Sequence, residues 1–214
     1  MRYTAAYPVA ELDKTPLRPS PLALTVLFML FSEPLHPYEM QRRIKLWGKD
    51  QVVNVAQRAN LYKTIERLHQ AGLIAVRQTE RDQRFPERTV YELTEAGSRV
   101  SREWLIEMLE TPRNEFPRFP AALSFIMTLS PSVAAEVLDR RARAVRETLA
   151  DLERALSGTD GPLPPRITLI ETEYLRAMTL AELDWLCSVI DELRSGTLSW
   201  TYAELAEAAK QSLA

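Results

Sequence analysis

The chain has 214 residues, 46% of them hydrophobic and 26% charged, enough apolar material for one large or two small cores and too much for a disordered chain. Its net charge of −2 hides an asymmetry: residues 20–93 carry eleven Lys and Arg against eight Asp and Glu, and residues 94–214 thirteen against nineteen. That points a polyanionic partner toward the first half, though ordinary surface variation gives imbalances of this size too. A lone cysteine, Cys187, excludes an intrachain disulfide and reads as a buried structural thiol; the longest apolar run, Leu22 to Phe31, is too short to span a bilayer, and without a signal-peptide pattern at the N-terminus a cytoplasmic protein is expected.

Residues 1–19 hold three prolines without a sustained period and read as an arm. Ser20 and Pro21 form an N-cap and first-turn pair, opening an apolar helix that Pro34 ends. A second helix is predicted from Pro37 to Trp47, with Tyr38, Met40 and Ile44 inward and Gln41, Arg42 and Lys45 outward; Gly48 stops it. The spacing of Leu61, Ile65 and Leu68 predicts a third helix over residues 57–70, whose other face carries Arg58, Asn60, Lys63, Thr64 and Arg67. Gly72 ends it, and extended runs over 74–79 and 88–93 flank a charged loop, making a β-hairpin.

Three short helices and a hairpin within about 75 residues is the order of a winged helix-turn-helix, whose third helix can lie in a DNA major groove. The rest reads as helical. Helices are predicted over 95–109, 121–129, 133–156 and 166–194, with a break at 158–165 and one more short helix after Gly196. On the last long helix Ile167, Ile170, Tyr174, Met178, Ala181 and Trp185 form one stripe, with Leu175, Leu186, Ile190 and Leu193 elsewhere, so it needs more than one packing partner. The expected fold class is mainly α: an arm (1–19), a winged domain with a small hairpin wing (20–97), and a helical domain (98–214).

The stretches "LTVLFMLFSEPLHPYEMQRRI", "NLYKTIERLHQAGLI" and "YELTEAG" resemble the PadR family of bacterial transcriptional regulators over residues 20–97. More weakly, "FPRFPAALSFIMTLSP" and the long helices resemble the C-terminal domain of its Vir-type subgroup. The resemblance implies a homodimeric regulator of double-stranded DNA, usually a repressor, whose C-terminal helices hold two winged domains at a fixed distance; in several such proteins a small molecule, often aromatic, changes the relative placement of those domains. Pro37 and the segment Gln57 to Ala59 depart from the family's usual Gly and Ser-Pro-Gly, which puts the start of the recognition helix in doubt.

Candidate DNA-contacting residues are Gln57, Arg58, Asn60, Lys63 and Arg67 on the third helix and Arg81, Arg84 and Arg88 in the wing, each also compatible with a solvated charged surface. Tyr62 and Tyr38 fit phosphate-facing hydroxyls by the resemblance, or packing tyrosines. Trp104, Phe116, Phe119, Tyr174, Met178 and Trp185 are candidate effector-binding residues; aromatic residues at helical spacing also serve as plain core. No catalytic motif appears, no cofactor is expected, and His36, His69 and Cys187 are too few for a zinc site. The expected function is a sequence-specific DNA-binding regulator; the competing one is a winged-helix protein-interaction module.

Overall fold

The computed structural model describes residues 18–49, 52–53, 58–80, 88–159, 163–204, 207 and 211. They separate into two compact units, Met1–Asn114 and Glu115–Ala214.

In the first unit, helix α1 (Pro21–Ser32) starts where the Ser20 hydroxyl oxygen accepts from the Ala23 N–H at 3.2 Å, and it buries Ala23, Val26, Leu27, Met29 and Leu30. After Pro34, Leu35 exchanges two 3.0 Å backbone hydrogen bonds with Tyr91, which ties the first turn of chain to the wing. Helix α2 (Pro37–Leu46) follows, capped by His36 Nδ1 accepting from the Tyr38 N–H. Its buried face is Pro37, Met40, Gln41 and Ile44, an i, i+3, i+4, i+7 set. This corrects the sequence reading at two positions. Tyr38 is 59% exposed, because it sits about 100° around the helix from Pro37, and Gln41, expected outward, is only 9% exposed because it shares the face of Pro37 and Ile44.

Helix α3 (Arg58–Gln70) buries Leu61, Ile65 and Leu68 as predicted. It ends at Gly72, whose φ of 70° is the left-handed turn that lets the Leu73 N–H donate back to the Leu68 carbonyl at 3.0 Å. Strands β1 (Ile74–Glu80) and β2 (Arg88–Leu93) pair antiparallel from Ile74 opposite Leu93 to Glu80 opposite Arg88, with a bulge between Val76 and Gln78. The chain returns into helix α4 (Glu95–Glu110) through Thr94, whose Oγ1 accepts from the Gly97 N–H at 3.0 Å and lies within 2.9 Å of the Gly72 and Leu73 carbonyl oxygens. One side chain therefore caps α4 and fastens it to the turn after α3. The sequence reading assigned this helix to the second domain; instead α4 packs against α1, and Trp104 joins the core built from α1, α2, α3 and β1.

The second unit opens with helix α5 (Arg118–Leu123), followed by a 3₁₀ turn at Ile126–Thr128. The predicted helix over 121–129 is thus shifted toward the N-terminus: Pro120 fits in the first turn, where its missing N–H is not needed. Helix α6 (Pro131–Ser157) is capped by Ser130, and helix α7 (Ile170–Ser195) follows a 3₁₀ turn at Arg166–Thr168. The two long helices form an antiparallel pair. Ala134, Ala135 and Ala142 let the backbones approach, Leu138, Leu186, Ile190 and Leu193 fill the seam, and Arg141–Glu182, Arg176–Glu153 and Arg194–Asp139 bridge its sides at 2.6, 2.9 and 3.0 Å. Cys187, expected buried, is half-buried on α7.

Beyond Gly196 the chain folds back on its own unit. The Trp200 indole packs on the α6–α7 core, and its Nε1–H reaches the carbonyl oxygens of Met127 and Leu129 at 3.1 and 3.0 Å. Trp200→Phe is expected to cost the second unit less than about 1 kcal/mol, since water can take the place of the indole N–H at those exposed carbonyls, and Trp200→Ala more, about 2 kcal/mol, by removing the half-buried ring. Urea melts of the two variants, followed on the far-UV helix signal, check that order.

Candidate nucleic-acid interface

The face of α3 opposite Leu61, Ile65 and Leu68 is open. Asn60, Tyr62, Lys63, Glu66, Arg67 and Gln70 are all exposed, and Thr64 is half-buried at the edge toward α1. Glu66 could have neutralised Lys63 or Arg67 along the helix, but its Oε1 accepts from Gln70 Nε2 at 2.8 Å, and among the described residues neither cation has an ion pair. A hydrogen-bond donor array with unspent positive charge is what base edges and phosphates require. Asn60, Lys63 and Arg67 recur at i, i+3 and i+7, so all three can enter one groove from one helical side.

On the wing side of α3, His69 meets Tyr91 edge to face at a centroid distance of 5.9 Å, which sets β2 against the helix. Burial, and then the Glu66 carboxylate, push the Tyr91 phenol above its ordinary pKa, so it stays a neutral packing group. Arg77 on β1 is held 3.7 Å from Glu92 across the hairpin. Of the sequence candidates in the wing, Arg81 and Arg84 lie outside the described residues, as does Gln57; Arg88 begins β2 and Arg58 begins α3.

Both candidate tyrosines are exposed: Tyr38 at the start of α2, and Tyr62 (48%) on α3. Neither belongs to the buried core of the unit. Arg42 and Arg43 are occupied. Glu39 Oε1 and Oε2 accept from Arg42 at 2.8 and 2.9 Å, Glu39 Oε1 also accepts from Arg43 Nε at 2.9 Å, and Glu33 takes Arg43 Nη1 at 2.7 Å. Those bonds, from Arg42 first and Arg43 second, hold the Glu39 carboxyl down from 4.5 to about 2. A carboxylate lowered by folding adds stability above its ordinary value and loses it as pH falls from about 4.5 through about 2. Glu39→Gln is therefore expected to flatten the acid limb of a melting-temperature profile within that window.

The aromatic candidates do not converge. Trp104, 8% exposed, is core of the first unit, whereas Phe116 is 82% exposed, with a φ of 50°, in the segment before α5. Phe119 and Trp185 meet edge to face at 6.1 Å beneath the Arg141 guanidinium, which lies 3.5 Å from the Phe119 centroid, and that guanidinium is itself held by Glu182. Tyr174 and Met178 lie exposed on α7. A cleft of about 520 Å³ in this unit is lined by Pro131, Ser132, Ala135, Glu136, Leu193 and Arg194, and by none of the six candidates. Among the described residues no group of three or more His, Cys, Asp or Glu could hold a metal, and no helix is long and apolar enough to cross a membrane.

The order of helices, the open face of α3 and the hairpin agree with a match of residues 26–103 to the transcriptional regulator PadR-like family. Residues 26–103 form a PadR-like domain. The match ends within α4, so it does not reach the helices that resemble the Vir-type subgroup. Bacillus subtilis PadR in complex with operator DNA is similar in structure, with 21% identity and a TM-score of 0.64 over 80% of this chain and 98% of that one. The same protein in complex with p-coumaric acid is 20% identical, with a TM-score of 0.65 over 81% and 98%. The Vibrio cholerae virulence activator AphA is 16% identical, with a TM-score of 0.57 over 81% and 98%. At these identities the likeness establishes a shared fold, a winged helix-turn-helix followed by a helical region. No curated protein is significantly similar to the chain in sequence.

Proposed function

We propose that the chain is a sequence-specific DNA-binding transcriptional repressor that acts as a homodimer on a pseudo-palindromic operator. The observation that carries the reading is the exposed set Asn60, Lys63 and Arg67, unpaired among the described residues, on a helix whose opposite face is locked into the core. Helix α3 enters the major groove, with Arg58 and Gln57 as further candidate contacts; Tyr38 and Tyr62 donate to backbone phosphates, and the hairpin lies over the adjoining backbone, for which Arg81, Arg84 and Arg88 are the candidate phosphate contacts. The family match and the operator complex of the Bacillus subtilis protein support this assignment.

The exposed stripe Ile170, Tyr174, Met178 and Trp185 on α7, continued by Ile167 in the turn before it and lying beside the face that α6 covers, suits a second copy of the chain. Two such copies present recognition helices to half-sites one helical turn, about 34 Å, or a multiple of it apart. A small aromatic acid is the effector class, by analogy with the p-coumaric acid complex of the Bacillus subtilis protein, and acts by shifting the spacing of the two helices.

Selection of duplexes from a random pool by the purified protein is expected to return a two-fold symmetric sequence with half-sites at that spacing. Binding that fails to distinguish the selected duplex from random DNA at moderate salt would remove the specific-regulator reading and leave the protein-interaction module in its place.

A further inference from the structure

We propose that a cleft between α1 and α3, lined by Arg18, Ser20, Thr64 and Arg67, holds a phosphodiester of the DNA backbone. The inference rests on the DNA-binding reading above; it assigns Arg67, at the edge of the groove-facing set, to the backbone and adds Arg18, Ser20 and Thr64, which that reading does not use. The cleft has a volume of about 280 Å³, its remaining lining is Pro19 and Ala23, and among the described residues no carboxylate lines it.

Two guanidinium groups border this one space, and among the described residues neither makes a hydrogen bond or an ion pair. On α2 the opposite holds, since Arg42 and Arg43 are both taken up by Glu39. Two like charges beside one cleft repel each other, and an oxyanion between them removes the repulsion while accepting from both forks. Hydroxyl donors stand at the same rim. The Ser20 oxygen accepts from the Ala23 N–H and so keeps its own proton to donate, and the Thr64 hydroxyl makes no hydrogen bond among the described residues. Four donors without an acid select a phosphate-type anion over a cation or a neutral ligand.

Free phosphate and a DNA backbone share that chemistry. The backbone is favoured because Arg67 lies one turn beyond Lys63, about 6 Å along the same exposed face of α3. A duplex seated on Asn60 and Lys63 runs a phosphate strand along the flank of the helix, where Thr64 and Arg67 meet Arg18. The contact carries no base information, so it strengthens all duplexes alike.

Arg18→Ala and Asn60→Ala are compared with the wild-type chain by fluorescence anisotropy, on the selected operator duplex and on a scrambled duplex, across a salt series. Melting curves confirm that both variants fold. Arg18→Ala is expected to weaken both duplexes by a similar factor, about tenfold, and to reduce the slope of log affinity against log salt by about 1, leaving the preference between duplexes intact. Asn60→Ala is expected to change the preference and leave the slope. An Arg18→Ala variant with the wild-type slope overturns the phosphate contact while the DNA-binding reading stands. A wild-type chain that binds neither duplex removes both. Should inorganic phosphate raise the melting temperature of the wild type but not of Arg18→Ala, with the DNA slope unchanged, the cleft takes free phosphate and the backbone assignment is wrong.

Discussion

Gly97→Ala is expected to destabilise the winged unit by about 3 kcal/mol or more, enough to lower its melting temperature by on the order of 10 °C, although only one methyl group is added. Gly97 lies in the first turn of α4, with no unusual backbone angle, and what reserves the position is space. A Cβ there would overlap the Leu73 carbonyl oxygen and stand 2.9 Å from both the Leu73 carbonyl carbon and Leu93 Cδ1. Two of those atoms are backbone and cannot rotate away. The carbonyl is also the acceptor for the Thr94 N–H at 3.1 Å, so moving it unfastens the wing's exit from the turn after α3. Gly72 provides the contrast. It has a φ of 70° with no atom within 4 Å of its missing Cβ, so Gly72→Asn, a residue that tolerates the left-handed region, is expected to cost about 1 kcal/mol or less. Thermal melts of the two variants followed by circular dichroism check the difference; a Gly97→Ala chain that melts with the wild type would refute the close-approach account.

The same contact explains part of what the sequence made legible. "YELTEAG" reads as a strand running into a capped helix because Thr94 and Gly97 fill fixed roles, one donating and accepting at the cap and the other yielding its side chain to Leu73. Likewise Leu61, Ile65 and Leu68 recur at helical spacing because one core holds all three, and the open face opposite them follows from that spacing. Periodicity says which side of a helix is buried but not against what. Helix α4 was therefore assigned to the wrong neighbour, and the rings of Trp104 and Trp185, equivalent as letters, fall into separate cores or surfaces. On α2 the spacing allowed two faces, and Pro37 and Ile44 selected the one that buries Gln41 and exposes Tyr38. Contacts made by polar groups across long stretches of chain were the least legible. Nothing in the local pattern places Arg18 beside Arg67, or aims the Trp200 N–H at carbonyls some seventy residues earlier.

Arg58→Glu combined with Lys63→Glu is expected to reduce operator affinity by at least about 100-fold, since each reversed cation forfeits about 1–3 kcal/mol of contact and adds repulsion from the backbone. The slope of log affinity against log salt is expected to fall by about 2, one for each phosphate-neutralising charge removed. Fold and assembly are expected to survive, because Lys63 is exposed on the face of α3 opposite Leu61, Ile65 and Leu68, and the apolar stripe of α7 belongs to the other unit. Gel-filtration mass and melting temperature should therefore match the wild type while DNA retention is lost. That combination separates the two readings of a winged helix. A protein-interaction module would keep whatever weak, non-specific DNA retention it has, because nothing in its function would depend on two cations at the head of α3. A regulator must lose its operator, because Lys63 sits on the exposed face of α3 that is open to the groove and the reversed charges repel the backbone.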